Sequence, residues 1–221
     1  FFLPLALTLY WISVKNNLYK YTEIILIIFS LVFYSWWNLY NTSLIITTII
    51  LNFFMGKIIS KKFGNKETLI LPILIGIIIN LLPLFYFKYS YFFLSQIPNL
   101  DYKIVSNFKF ILPLGISFFT FQQLSYLFDV SRGLKAEKSF LRYSLFVLFF
   151  PQLIAGPIVK FEELSKQFNW ESQDQKILKN LAVGLTIFFV GLFKKIVLAD
   201  TLAEFVNPIY TTLDLGLNIT T

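Results

Sequence analysis

The chain of 221 residues contains no cysteine and no histidine. The first absence excludes disulfides, thiolate nucleophiles and cysteine-ligated metals, and the second removes the commonest general base and metal ligand. Charged residues are also scarce, at 14% of the chain, whereas a soluble domain has roughly 25%. We therefore predict no metal site, no bound cofactor and no complete acid–base centre within this sequence.

Apolar residues dominate what is present. Hydrophobic residues make up 57% of the chain, and the mean hydropathy is +0.69. This composition predicts a polytopic membrane protein, so the lipid bilayer is an expected partner. The net charge of +7 comes from lysines and arginines that lie mostly in loops between apolar runs. It therefore indicates membrane topology and no nucleic-acid partner.

Seven apolar runs approach the length of a membrane-spanning helix, which needs about 20 residues. The predicted segments are 1–14, 21–39, 44–59, 69–87, 110–128, 143–159 and 178–199. They predict an all-α fold, with residues 38–43 as a tight polar turn. The sequence starts without methionine inside an apolar run and ends without a readable stop signal, so we expect a fragment of a longer protein.

Lysine and arginine are distributed unevenly among the loops. They total ten in the loops after the first, third and fifth runs and three in the two loops between these. The positive-inside rule places loops 57–68 and 129–142 in the cytoplasm and the N-terminal end outside. Four lysines in 160–179 are also predicted to be cytoplasmic. Segment 143–159 must then enter the membrane and return, or lie along it.

Three helix-breaking residues interrupt segment 143–159, namely Pro151, Gly156 and Pro157, and Gln152 lies among them. Irregular backbone at membrane depth is tolerated only where protein buries it or where it lines a watery cavity. The segment is therefore predicted to be a re-entrant or horizontal element in a cavity wall, with Gln152 facing protein or water. An ordinary kinked helix is the alternative.

The fifth run carries a polar stripe at helical spacing. Its members are Gln122, Ser125, Tyr126, Asp129, Arg132 and Gly133. These positions share one helical face, which must turn toward other helices or a cavity in lipid. One interpretation is a cavity wall that meets a polar substrate. The other is an interhelical contact, with Asp129 paired to Arg132 at the cytoplasmic interface.

A second charged feature is "GLFKKIVLAD", residues 191–200, in which Lys194 and Lys195 interrupt an apolar run. Charged residues inside a membrane segment are candidates for function by default. Long lysine side chains near a segment end also reach the headgroups without any binding role. The spacing leaves both interpretations open.

Three blocks stand in order along the chain: "LPLGISFFTFQQLSYLFDVSRG", "FFPQLIAGPIVKFEEL" and "GLFKKIVLAD". Together they resemble the membrane-bound O-acyltransferase family, and most closely its bacterial branch of alginate and peptidoglycan O-acetyltransferases. The resemblance covers roughly residues 1–210. It implies a helical bundle around a funnel through the membrane, with broken or re-entrant elements. Residues 1–221 would be the N-terminal part of one membrane domain.

The resemblance also implies an activity. In this branch an acetyl group passes from a cytoplasmic donor, acetyl-CoA or another acyl carrier, to hydroxyls of a cell-surface polysaccharide such as peptidoglycan or alginate. The implied location is the bacterial inner membrane, and a periplasmic or extracellular acetyltransferase is an implied partner. The family's catalytic histidine lies downstream of the third block, so no catalytic residue is assigned here. The candidate substrate-binding residues are Gln122, Tyr126, Asp129, Gln152, Lys194 and Lys195.

Two other classes of function remain open at this point. A transporter or channel would use broken helices around a midplane site, although no internal repeat is visible in the sequence. A non-catalytic scaffold subunit of a polysaccharide export or modification complex would need no catalytic residues. The cations Arg132, Lys135 and Lys138 also allow two interpretations. They either steer an anionic acyl donor or follow the positive-inside rule alone.

Overall fold

The computed structural model describes residues 2–64, 66–98, 110–153, 159–168 and 177–214. These residues are almost entirely helical, and none of them forms a β-strand. The predicted all-α class is therefore confirmed. The chain divides into two compact units, Phe1–Glu171 and Ser172–Thr221.

The described helices of the first unit are α1 (Phe2–Lys15), α2 (Tyr19–Trp37), α3 (Leu39–Lys62), α4 (Lys66–Leu84), α5 (Ser90–Ser95), α6 (Ile116–Ser131), α7 (Phe140–Leu148), α8 (Phe150–Leu153) and α9 (Phe161–Ser165). A π-helical turn, Phe85–Tyr89, joins α4 to α5, and a 3-10 turn, Lys166–Phe168, follows α9. The second unit contains α10 (Ile177–Phe193), a π-helical turn (Lys194–Asp200) and α11 (Thr201–Asp214).

Three helices in the described part of the chain are long and apolar enough to cross a bilayer. They are Leu39–Lys62, Thr68–Ser95 and Leu178–Tyr210. The first has 24 residues, which at 1.5 Å per residue gives about 36 Å and exceeds the roughly 30 Å hydrocarbon core. The two ends of α3 can therefore lie at opposite membrane surfaces.

The predicted polar turn at 38–43 is wrong, because Asn38 alone separates α2 from α3. The side-chain oxygen of Asn38 accepts hydrogen bonds from the backbone nitrogens of Tyr40 (2.9 Å) and Asn41 (3.4 Å). This N-cap satisfies donors that the first turn of a helix leaves free. The Thr42 hydroxyl then donates to the Asn38 carbonyl at 3.2 Å. Polar residues after Asn38 are thus accommodated inside the helix.

The fifth apolar run also differs from its predicted bounds of 110–128, because α6 begins at Ile116 and ends at Ser131. Its start follows a turn in which the Ile116 nitrogen donates to the Pro113 carbonyl at 3.2 Å. Gly115 has φ of +64°, a left-handed conformation that glycine adopts without steric strain. An ideal Cβ on Gly115 would lie 2.5 Å from the backbone oxygen of Leu153. The chain therefore needs glycine there for both conformation and space.

The expectation that no single helix runs through 143–159 is confirmed for the described residues. Helix α7 ends at Leu148, Phe149 leaves the helical conformation (φ −50°, ψ 102°), and the short α8 follows. Proline lacks the N–H that a continuous helix would need at position 151. With 9 residues, α7 is about 14 Å long and too short to cross the hydrocarbon core. Gly156 and Pro157 lie outside the described residues.

The second unit continues farther than its predicted segment, 178–199. Helix α10 passes through the π-helical turn into α11, so the helix extends to Asp214. Lys194 and Lys195 therefore lie near the middle of this helix, and their position near the end of the membrane-spanning part stays a prediction. The π-helical turn continues the helix through the two lysines, so the helix does not end at them.

The core of the first unit forms where α2, α3, α6 and α7 pack together, and α4 packs on α3 and α6. Its largest fully buried side chains include Tyr34, Ile45, Ile49, Phe119, Tyr126, Tyr143 and Phe146. Buried polar side chains lie among these apolar ones, mainly on α2, α3 and α6. The buried members of the polar stripe predicted on α6, Gln122 and Tyr126, therefore lie inside the bundle.

Candidate functional site

The break between α7 and α8 is held by two side-chain hydrogen bonds. In a continuous helix the Phe150 nitrogen would donate to the Phe146 carbonyl, but the break separates the two groups. The side-chain nitrogen of Gln122 donates to the Phe146 carbonyl at 2.8 Å. The Phe150 nitrogen donates to the Ser30 hydroxyl at 3.2 Å. Helices α6 and α2 thus satisfy two of the backbone groups that the break leaves free.

We expect Gln122→Leu to lower the free energy of unfolding by about 1–3 kcal/mol, because the buried Phe146 carbonyl would lose its partner. The measurement is a denaturing-detergent titration followed by tryptophan fluorescence. Gln96→Leu is the matched control, since Gln96 is exposed at the end of α5. An equal, small effect for both substitutions would show that Gln122 does not support the break.

Tyr126 is fully buried between neighbouring helices and a loop. Its ring centroid lies 4.8 Å from that of Tyr143 and 5.2 Å from that of Phe161. Its hydroxyl accepts a hydrogen bond from the Glu137 nitrogen at 3.0 Å. An ideal Cβ on Gly56 would lie 2.7 Å from the Tyr126 ring, so α3 also closes over it. Tyr126 positions α7, α9 and the loop that begins at Arg132.

A second buried glutamine, Gln123, joins α6 to α3 and α7. Its side-chain nitrogen donates to the Thr48 hydroxyl at 3.2 Å, and its oxygen accepts from the Tyr143 hydroxyl at 3.4 Å. Asn52 and Asn80 exchange two hydrogen bonds, at 3.1 and 2.6 Å, between α3 and α4. Such satisfied contacts are typical of polar residues between membrane helices. Gln123 was not among the predicted site residues, although two adjacent glutamines in an apolar helix are a usable signal.

The predicted pairing of Asp129 with Arg132 is wrong, because no ion pair joins these two described residues. Asp129 is half-buried, Arg132 is exposed, and the Asp129 carbonyl accepts from the Leu134 nitrogen at 3.0 Å. Among the described residues of the unit, the buried carboxylate is that of Glu23, which is 7% exposed and accepts from the Arg142 side chain at 3.0 Å. A lone glutamate in the first turns of apolar α2 is the signal that sequence reasoning overlooked.

Gln152 lies half-buried in α8, and its backbone nitrogen donates to the Phe149 carbonyl at 3.0 Å. Gln122, Tyr126 and Asp129 lie on α6 of the same unit. The orientation of Gln152 toward protein or water stays a prediction. So does the role of all four residues in binding a substrate.

In the second unit, the Lys195 ammonium lies 2.6 Å from an Asp200 carboxylate oxygen. Residues five apart are separated by about 140° around an α-helix. The π-helical turn brings them to one side, because its hydrogen bonds join residues five apart. Lys195 is therefore neutralised locally. Lys194 has no ion pair among the described residues of this unit.

The described residues contain no group of three side chains suited to hold a metal ion. The first unit has an apolar groove of about 630 Å³ along α4 and α5. Its lining includes Ile77, Leu81, Phe85, Tyr86, Ser90 and Phe93. None of the predicted site residues lines this groove. Outside the apolar segments, the hydrogen bond from the Lys166 side chain lowers the pKa of Glu162 below its ordinary value.

Comparison with known proteins identifies the family. The profile of MBOAT, the membrane-bound O-acyltransferase family, matches residues 1–212. The peptidoglycan O-acetyltransferase of Helicobacter pylori is 38% identical, over 93% of this chain and 44% of its own length. The probable alginate O-acetylase AlgI of Pseudomonas syringae is 34% identical, over 91% of this chain and 39% of its own length. The chain therefore spans about two fifths of these relatives.

A more distant relative is the teichoic acid D-alanyltransferase of Streptococcus thermophilus, 25% identical over 43% of this chain and 23% of its own length. No solved structure matches the chain. The family profile covers all three sequence blocks, and the described helices are those of a multi-pass membrane protein. The chain belongs to the membrane-bound O-acyltransferase family.

Proposed function

We propose that the protein is a membrane-embedded O-acyltransferase that passes acetyl groups to hydroxyls of a cell-surface polysaccharide, such as peptidoglycan or alginate. One observation carries this proposal: the family profile spans residues 1–212. The two relatives quoted above have names that specify O-acetyl transfer on peptidoglycan and on alginate. These transferase names favour an enzyme over the transporter, channel or scaffold.

Residues 1–221 are proposed to form the N-terminal part of one membrane domain in the bacterial inner membrane. The donor is acetyl-CoA or another acyl carrier on the cytoplasmic side, and the partner is a periplasmic or extracellular acetyltransferase. Acetyl transfer needs a base that takes the proton of the acceptor hydroxyl, which then attacks the acetyl carbonyl and releases the donor thiolate. Because these residues include no histidine, the base is proposed to come from elsewhere in the protein.

Within this scheme the candidate residues divide by what they already contact. The Gln122 amide and the Tyr126 hydroxyl bind backbone groups of the protein, so we propose that they position the wall of the site. Asp129 and Gln152 are half-buried and are proposed to meet a hydroxyl-bearing substrate. Lys194 and Lys195 stay candidates for an anionic substrate group, with Lys195 held by Asp200.

An acetylation assay tests the proposal. We expect the full-length protein, expressed in a bacterial strain without surface-glycan acetylation, to add acetate that mild alkali releases from the purified glycan. Purified residues 1–221 alone should transfer none, since the ordinary pKa of tyrosine and lysine is about 10 and an ordinary carboxylate is a weak base for a hydroxyl. Transfer by residues 1–221 above background would contradict this expectation, and Asp129, Asp200 and Lys194 would become candidate bases.

The membrane topology gives a separate prediction. The chain has no cysteine, so Tyr40→Cys and Lys62→Cys each introduce a single reactive thiol. These positions lie at opposite ends of α3, and both side chains are exposed. We expect a membrane-impermeant thiol reagent to label position 40 in intact cells and position 62 only after permeabilisation. Labelling of position 62 in intact cells would show that the membrane orientation is the reverse of the predicted one.

A further inference from the structure

Exposed cations lie on three elements of the first unit that pack together. The loop between α6 and α7 carries Arg132, Lys135 and Lys138, all exposed. Lys62 ends α3, and Lys160 directly precedes α9. Both of these side chains are exposed as well. We call these five residues the basic surface.

Packing contacts bring the three elements together. An ideal Cβ on Gly133 would lie 2.9 Å from the ring of Phe63, which directly follows Lys62, so the loop lies against the end of α3. Tyr126 contacts both the loop and α9. Its hydroxyl accepts from the Glu137 nitrogen at 3.0 Å, and its ring packs on Phe161 at the start of α9. Four of the five cations directly neighbour these anchors in sequence, and Lys135 lies two residues from the nearest ones.

The loop makes hydrogen bonds within itself and to the end of α6. The Leu134 nitrogen donates to the Asp129 carbonyl at 3.0 Å, and the Gly133 nitrogen donates to Val130 at 3.1 Å. The Glu137 carboxylate accepts from the Ser139 nitrogen at 2.7 Å. The only acidic side chain between Arg132 and Arg142 is therefore turned to the backbone of its own loop.

Few other acidic groups face these cations from the packed elements. Asp129 is half-buried, Glu162 is paired with Lys166 at 2.9 Å, and Glu163 is exposed. Glu23, on α2, is buried against Arg142 at 3.0 Å. The positive charge of the basic surface is thus only partly balanced by the described residues around it.

We propose that the basic surface binds the phosphate of an anionic phospholipid headgroup. Lys62 ends a helix long enough to cross the bilayer, so this surface lies at headgroup height. Guanidinium and ammonium groups are the side chains that recognise phosphate, and each one near a membrane surface adds to anionic-lipid affinity. A loop whose backbone is already ordered loses less conformational entropy on binding than a mobile loop does. This binding goes beyond the proposed acetyl transfer and does not depend on it.

Native mass spectrometry of the detergent-purified chain tests the proposal. Phosphatidylglycerol and phosphatidylcholine with identical acyl chains are offered in equal amounts, and the retained lipids are counted. We expect the chain to prefer phosphatidylglycerol over phosphatidylcholine by about tenfold or more. The double variant Lys135→Gln/Lys138→Gln should reduce this preference by up to about 5-fold for each charge removed. The matched control is Lys15→Gln with Lys20→Gln, which removes two exposed cations, at the end of α1 and the start of α2, on the same predicted membrane side.

Tyr126→Phe separates loop order from charge, because it keeps every cation and removes the acceptor of the Glu137 nitrogen. We expect it to reduce the preference by at least 2-fold. Equal losses in the two lysine double variants would overturn the proposal, since they would indicate bulk charge alone. An unchanged preference in Tyr126→Phe would overturn the role of loop order. Displacement of phosphatidylglycerol by micromolar inorganic pyrophosphate would assign the surface to a soluble phosphate ligand instead of lipid.

Discussion

Gly115→Ala is expected to lower the free energy of unfolding by about 2–5 kcal/mol. The left-handed conformation, with φ of +64°, costs an alanine about 1–2 kcal/mol. The added Cβ would also lie 2.5 Å from the Leu153 oxygen. This atom belongs to the backbone and cannot turn away as a flexible side chain can, so overpacking adds about 1–3 kcal/mol.

Gly64→Ala is the control that separates the two effects. Gly64 also has positive φ, at +99°, but nothing lies within 4 Å of its ideal Cβ. Both substitutions therefore strain the backbone, and Gly115→Ala alone also creates a collision. Denaturing-detergent titrations of the two variants should differ by at least about 1 kcal/mol. Equal losses of unfolding free energy would show that Gly115 does not approach Leu153 closely in the detergent-solubilised protein.

The contact matters for the site because it fixes where α6 begins. Gly115 lies directly before α6, and Leu153 ends α8. Gln122 on α6 supports the break that precedes α8 through the Phe146 carbonyl. The broken segment is thus attached to α6 at two places. We expect Gly115→Ala to disturb the break as well as the helix start.

Tyr126→Ala is expected to have a comparably large effect, about 3–5 kcal/mol, because truncation of a buried aromatic side chain leaves a cavity. The side chain is 0% exposed, and the rings of Tyr143 and Phe161 pack against it. Tyr126→Phe keeps the ring and removes only the acceptor of the Glu137 nitrogen. We expect that variant to lose about 1 kcal/mol.

Tyr40→Ala is the matched control, since Tyr40 is 90% exposed and its removal should change stability by less than about 0.5 kcal/mol. A Tyr126→Ala variant as stable as Tyr40→Ala would contradict the buried position. The acetylation assay then distinguishes positioning from substrate contact. If Tyr126→Phe in the full-length protein abolished transfer while stability fell by about 1 kcal/mol or less, the hydroxyl would have a direct role in binding.

The sequence alone determined the membrane class, most of the helices and the family. Composition and run length report directly how a segment partitions into lipid, so these predictions need no tertiary contact. The break after Leu148 was also predictable, because Pro151 cannot supply the N–H of a continuous helix wherever the segment lies. The three quoted blocks identified the family, and its profile covers residues 1–212.

The tertiary structure decided which partner each polar side chain has. Glu23 and Arg142 are 119 residues apart, and no local pattern pairs them. Gln122 lies on the predicted polar face, yet its partner is a backbone carbonyl of Phe146 that becomes free only where α7 ends. Helical periodicity specifies the face of a residue, whereas the facing group depends on how helices pack. That packing gives most buried polar side chains of the described residues a partner, with Tyr34, Asn41 and Ser144 as exceptions, and it is a property of the fold and not of any single segment.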